Sequence, residues 1–109
     1  MKVKELAEKL DMKILTGEES LDKEVQGGYV GDLLSWVMSH ASKGDAWITV
    51  QIHPNIIAVA VLLEMAAIIV PENIPVENAT IEKASSEGIP ILQSSESAFN
   101  LCAAIKAVI

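Results

Sequence analysis

The chain has one cysteine, four aromatic residues, no cluster of basic residues and no apolar run long enough to cross a bilayer. A lone Cys102 excludes an internal disulfide and a thiolate metal cluster. It lies in an apolar helical segment, where a free cysteine behaves as a small hydrophobe and a buried position is expected. The longest apolar stretch, Ile56 to Val70, contains Glu64 and stops at Pro71. That falls short of the roughly 20 residues a spanning helix needs. The start, Met1-Lys2-Val3-Lys4-Glu5, has neither the apolar stretch nor the cleavage site of a secretory signal, so a cytoplasmic protein is expected. The eight Lys and Arg residues are dispersed in a chain of net charge -7, which repels a phosphate backbone and makes nucleic acid an unexpected partner.

What the chain does have is aliphatic bulk. Half of its 109 residues are hydrophobic and its mean hydropathy is +0.36, yet only Tyr29, Trp36, Trp47 and Phe99 are aromatic. The core must therefore be built from aliphatic side chains, and the length suits one domain over residues 1–109.

Val3, Leu6, Ala7 and Leu10 recur at helical spacing between charged residues and predict a first helix. Lys13 to Thr16 reads as a strand, Gly17 to Lys23 as an acidic surface loop, and Val25 to Val30 as a second strand bent or bulged at Gly27-Gly28. Asp32 is the expected N-cap of a helix reaching His40 or Ser42, with a broad apolar face that includes Leu33, Trp36 and Met38. Strand and helix then alternate three times. The predicted strands are Trp47–Ile52, Ala67–Val70 and Ile89–Gln93, and the helices are Asn55–Met65, Val76–Glu87 and Ser97–Ala107.

Strands that are continuous apolar runs between helices indicate parallel strands buried on both faces. The expected fold is α/β, three-layered, with a mainly parallel sheet of four to five strands. The helix Asn55–Met65 has almost no polar face and so requires cover on every side. A second copy would supply it, and a homodimer is preferred because two-fold dimers are the commonest closed assembly.

Ligands of open parallel sheets bind beyond the carboxyl ends of the strands, near a switch in strand order. This rule selects His53, Glu72, Ser94 and Ser95, and the turn Gly27-Gly28-Tyr29 is a further candidate, with Tyr29 offering a stacking face and a hydroxyl. His53 precedes a helix N-terminus, which disfavours positive charge, so a neutral hydrogen-bonding group is expected there; a purely capping role is the plainer alternative. No HxxxH or CxxC spacing supports a metal among His40, His53 and Glu72. The serines around Ser94 lack a nucleophile elbow, and Ser95 or Ser97 is expected to cap the last helix. The glycines match neither nucleotide-binding fingerprint. No catalytic residue and no cofactor are expected.

The segments Gly27 to Leu34, Ala46 to Gln51, Ala67 to Val70 and Glu87 to Leu92 together resemble the DRTGG domain, over about Val25 to Ile105. The chain looks most similar to stand-alone members; other members sit beside nucleotide-binding CBS domains or in phosphate acetyltransferases. It is also similar to the non-catalytic N-terminal domain of HPr kinase/phosphorylase. Where the family has its Asp-Arg pair and its Thr-Gly-Gly segment, this chain has His53-Pro54 and Pro71-Glu72-Asn73. An anion-binding role of the family's Arg is absent with it. Without a phosphate cradle the chain is not a kinase by itself. The resemblance implies a regulatory domain binding a nucleotide or small metabolite. The alternatives are an interaction or adaptor module without a small ligand, and a small enzyme using His53 and Glu72 as acid and base.

Overall fold

The computed structural model describes residues 1–109. Helix α1 (Val3–Lys9) leads into strand β1 (Lys13–Thr16) and a 3-10 turn at Glu18–Ser20. The repeating part follows: β2 (Gly27–Val30), α2 (Leu34–His40), β3 (Asp45–Ile48), α3 (Asn55–Leu62), β4 (Ala67–Val70), α4 (Asn78–Glu87), β5 (Ile91–Gln93) and α5 (Ala98–Val108). The five strands form one sheet in the order β1-β5-β4-β3-β2, parallel throughout except for β1 against β5. The expected mainly parallel α/β sheet is the observed one.

Side chains alternate across the central strands and divide the core in two. Ala46, Ile48, Ala67, Ile69 and Leu92 face α1 and α5, meeting Val3, Leu6, Leu101 and Ile105. Trp47, Ile68, Val70 and Ile91 face the crossover helices, meeting Val37, Ile56, Ile57 and Ala84. Strands β3 and β4 are therefore buried at every position, which is why they read as unbroken apolar runs. Three helices thus lie on one face and two on the other, completing three layers.

Several local expectations are corrected. The glycine pair does not bulge β2, whose register with β3 runs unbroken from Gly27↔Asp45 to Val30↔Ile48. Strand β3 stops at Ile48 instead of Ile52, because the next residues turn to neighbouring loops: Thr49 N–H donates to Ile69 O, and Val50 N–H donates to the Asp32 carboxylate at 2.9 Å. Asp32 consequently does not cap α2. Leu33 occupies the N-cap with no side-chain bond. Most of the apolar face predicted for α2 is uncovered: Val37 is buried, whereas Leu33, Trp36 and Met38 are 67%, 56% and 44% exposed. Helix α3 ends at Leu62 and is not enclosed on all sides, since Val61 and Leu62 face outward. Cys102 is half-buried instead of buried. Ser97, one of the two serines expected at the start of the last helix, does cap it, accepting from Asn100 N–H at 3.2 Å.

Candidate functional site

Because β2 to β5 are parallel and adjacent in chain order, their carboxyl ends share one edge, but no reversal of strand order occurs among them. The crevice that such a reversal opens in doubly wound sheets is missing. His53, Glu72, Ser94 and Ser95 do lie in the loops of that edge. Gly27 and Gly28 do not, since they begin β2 at the opposite end of the strand.

The edge is closed by hydrogen bonds between its own loops. Glu72 N–H donates to Glu96 O at 2.9 Å and Asn73 N–H to Ser94 O at 2.8 Å, joining the loop after β4 to the loop after β5. Buried Ser94 accepts from Glu96 N–H at 3.0 Å. The Gln93 side-chain amide donates to Ile74 O, and the Thr80 hydroxyl to Ile52 O. On the other side, Asp32 Oδ1 receives the Thr49 hydroxyl, and the Gln51 amide donates to Asp32 O. His53 is exposed, and its Nδ1 accepts from Asn55 N–H at 3.2 Å, while Pro54 occupies the N-cap of α3. Ser95 and the Glu72 carboxylate are exposed.

Glu72 and Asn73 both adopt left-handed backbone, with φ of 57° and 52°. These are the positions where the resemblance places the Gly-Gly of Thr-Gly-Gly. The chain keeps the conformation that glycine favours without the glycines. The two amide protons of this turn are taken up by Glu96 O and Ser94 O, so the turn offers no anion nest.

An open concavity between the end of α1 and α5 reaches this edge at Glu96 and Asn100, and the two others of note lie away from it. A cavity of about 410 Å³ sits at the amino ends of the strands, between Gln26, Lys43, Met65 and Ile89. A groove of about 600 Å³ runs between β2 and α5, walled by Val30, Ile48, Cys102 and Ile105 and bordered by Lys106, with Gly27 and Gly28 along its side. The two glycines differ in what they require. A Cβ on Gly27 would meet Asp45 Oδ1 at 2.9 Å, and that carboxylate is fixed by Ser42 N–H at 2.8 Å. A Cβ on Gly28 would meet only Ala46 O at 3.6 Å, an ordinary contact. Tyr29 packs on the opposite face, its ring over Gly31 and against the cluster around Val37. The seven candidates are thus distributed over three places: the groove, the far face of β2 and the closed carboxyl edge. No three His, Cys, Asp or Glu side chains come together as a metal set.

Sequence reasoning missed the network of Asp32, Thr49 and Gln51, because Asp before a helix signals a cap by default. It also missed the contribution of Cys102, Lys106 and Ile109 to the groove, which depends on α5 crossing beneath β2.

No curated protein matches the chain at the sequence level. Among solved structures, the CBS and DRTGG domains of the regulatory region of Clostridium perfringens pyrophosphatase, complexed with the activator diadenosine tetraphosphate, superpose with a TM-score of 0.69 at 18% identity. The match covers 92% of this chain but 44% of that one, so this chain spans less than half the length of the structure it resembles. At that identity the likeness establishes the shared fold. The family follows from sequence, since the DRTGG domain model matches residues 5–108, and the chain belongs to the DRTGG domain family.

Proposed function

We propose that the chain is a single-domain, non-catalytic regulatory module that acts by binding and works as a homodimer. The observation that carries this reading is the closed carboxyl edge. The loop backbone of that edge and the side chains of Asp32, Thr49 and Ser94 are engaged with one another. Of the candidates there, only His53, Ser95 and the Glu72 carboxylate stand at the surface, without a crevice between them, while exposed apolar side chains gather around β2 and α2. The solved relative, in which a DRTGG domain is part of a regulatory region bound to a nucleotide activator, supports a regulatory role. Sedimentation equilibrium tests the assembly: a dimer at micromolar concentration is expected, and a monomer at high micromolar concentration refutes it.

A second reading is favoured by the groove between β2 and α5. Its volume of about 600 Å³ falls within the usual range for small-molecule sites, roughly 300–1,000 Å³. Apolar walls with Lys106 at the border suit a flat apolar group carrying an anion, as in a nucleotide. Calorimetric titration with adenine nucleotides, diadenosine tetraphosphate included, tests it. Saturable heat at submillimolar ligand supports a ligand-responsive module, and no heat at millimolar ligand leaves protein association as its mode of action.

A further inference from the structure

We infer that the open edge of β2 is the dimer interface, with β2 pairing antiparallel with its twin about a two-fold axis perpendicular to the sheet. The inference rests on the homodimer reading above and adds where and how the second copy binds.

The two edges of the sheet are built differently. At the β1 edge, exposed Lys13 opens a strand whose register with β5 is broken between Ile14 and Thr16. A charge and an irregularity are the usual means of preventing edge-to-edge pairing. The β2 edge has neither. Gln26 to Gly31 contains no charged residue and no proline, and the register of β2 is regular. One whole side of its backbone is unpaired by any strand.

Charge permits a second copy at this edge. Two chains of net charge -7 can approach only through a face that lacks the excess. From Val25 to Ser42 the only titratable side chains besides Tyr29 are Asp32 and His40, and Asp32 is already engaged by Thr49 and Val50. Of the neighbouring charges, the Met1 ammonium is paired with Glu24 beside the start of the strand, and Lys106 at the groove is positive. His40 is stacked on Trp36 with ring centroids 3.9 Å apart.

Geometry gives the exposed apolar residues a purpose. Leu33, Trp36 and His40 share one flank of α2, and a right-handed crossover turns that flank away from α3 and towards the open edge. Paired edge strands lie about 4.8 Å apart, so two α2 helices, each above its own β2–β3 seam, would stand about 10 Å apart. Direct helix packing needs about 8–10 Å. The two helices would therefore meet directly, with Leu33 and Trp36 of both copies at the contact. On the other face, Val30 at 50% exposure and Ile109 at 41% border the groove beside α5, and the same operation covers both. A single symmetric contact therefore accounts for the unpaired strand and for the apolar surface on either side of it.

The test compares wild type with Val30→Lys and Trp36→Glu, both at exposed positions, and with Leu62→Glu on α3 as control, by sedimentation equilibrium and circular dichroism. The expected result is a folded chain in each case, with dimer affinity weakened at least roughly 30-fold in the first two, the loss of an interface hot spot, and unchanged in the control. A wild-type monomer at high micromolar concentration overturns the homodimer reading itself. A dimer that survives Val30→Lys and Trp36→Glu, or is lost in Leu62→Glu, overturns only the β2 edge. If the edge variants fail to fold, amide exchange of wild type at low and high concentration decides. Slowing of Gly27–Val30 amides with concentration supports the interface, and concentration-independent exchange there refutes it.

Discussion

Asp32 and Thr49, seventeen residues apart, hold the ends of β2 and β3 together: the Thr49 hydroxyl donates to Asp32 Oδ1 at 2.8 Å, and the same oxygen receives Val50 N–H at 2.9 Å. Thr49 is buried, so its hydroxyl has no water to replace this partner. Asp32→Ala is expected to lower stability by about 1–2 kcal/mol, the loss of hydrogen bonds to a charged acceptor together with a stranded hydroxyl. A double-mutant cycle with Thr49→Val in urea unfolding checks it. Coupling is expected, and additive effects would mean that Asp32 contributes through the helix end instead.

The left-handed turn at Glu72-Asn73 leads to a prediction of opposite sign. A non-glycine residue in that region carries about 1–2 kcal/mol of strain, less for Asn than for Glu. Glu72→Gly relieves the strain but adds freedom to the unfolded chain, so a net gain of up to about 1 kcal/mol is expected. The Glu72 side chain makes no hydrogen bond or ion pair in the fold, so nothing offsets the gain. A lower midpoint in chemical denaturation would show that the turn gains from the carboxylate in some other way.

How far the fold was legible depended on burial. The limits of β4 were readable to the residue, because a strand buried on both faces must be apolar throughout and Pro71 ends it. β3 was overextended by four residues, because Thr49 to Ile52 look like strand and only the crossing to Asp32 and Ile69 shows why the ladder stops. The site was less legible. His53, Glu72, Ser94 and Ser95 were placed on the shared edge correctly from parallel topology. That the edge is sealed depends on backbone amides pairing across loops, which no side-chain pattern records. The groove at Gly27-Gly28 depends on α5 reaching from β5 to β2, a packing choice that local sequence does not specify.

Gly17 is the glycine the fold can least replace. Its φ is 79°, and a Cβ there would lie 2.5 Å from Pro90 N and 2.7 Å from Ile89 C, both backbone atoms. Neither can move aside without shifting β5 from β1, where the Thr16 hydroxyl also ties the strands by donating to Ile89 O and accepting from Ile91 N–H. Gly17→Ala is therefore expected to cost at least about 3 kcal/mol, left-handed strain and overpacking acting together. Thermal melting followed by circular dichroism reads this directly, and a melting point within a few degrees of wild type would contradict it.

Gly28 separates the two binding readings. Its Cβ would point into space, meeting only Ala46 O at 3.6 Å, so Gly28→Val fits the backbone. A strand glycine is less favourable than other residues by about 0.5–1 kcal/mol, so this variant is expected to be at least as stable as wild type. The new side chain stands perpendicular to the sheet and occupies the groove between β2 and α5, while the backbone edge stays free to pair. If a small ligand uses the groove, calorimetric heat with adenine nucleotides falls away in Gly28→Val while sedimentation still reports a dimer. Heat that persists unchanged places the ligand elsewhere, and loss of the dimer with retained fold means that the twin reaches into the groove itself.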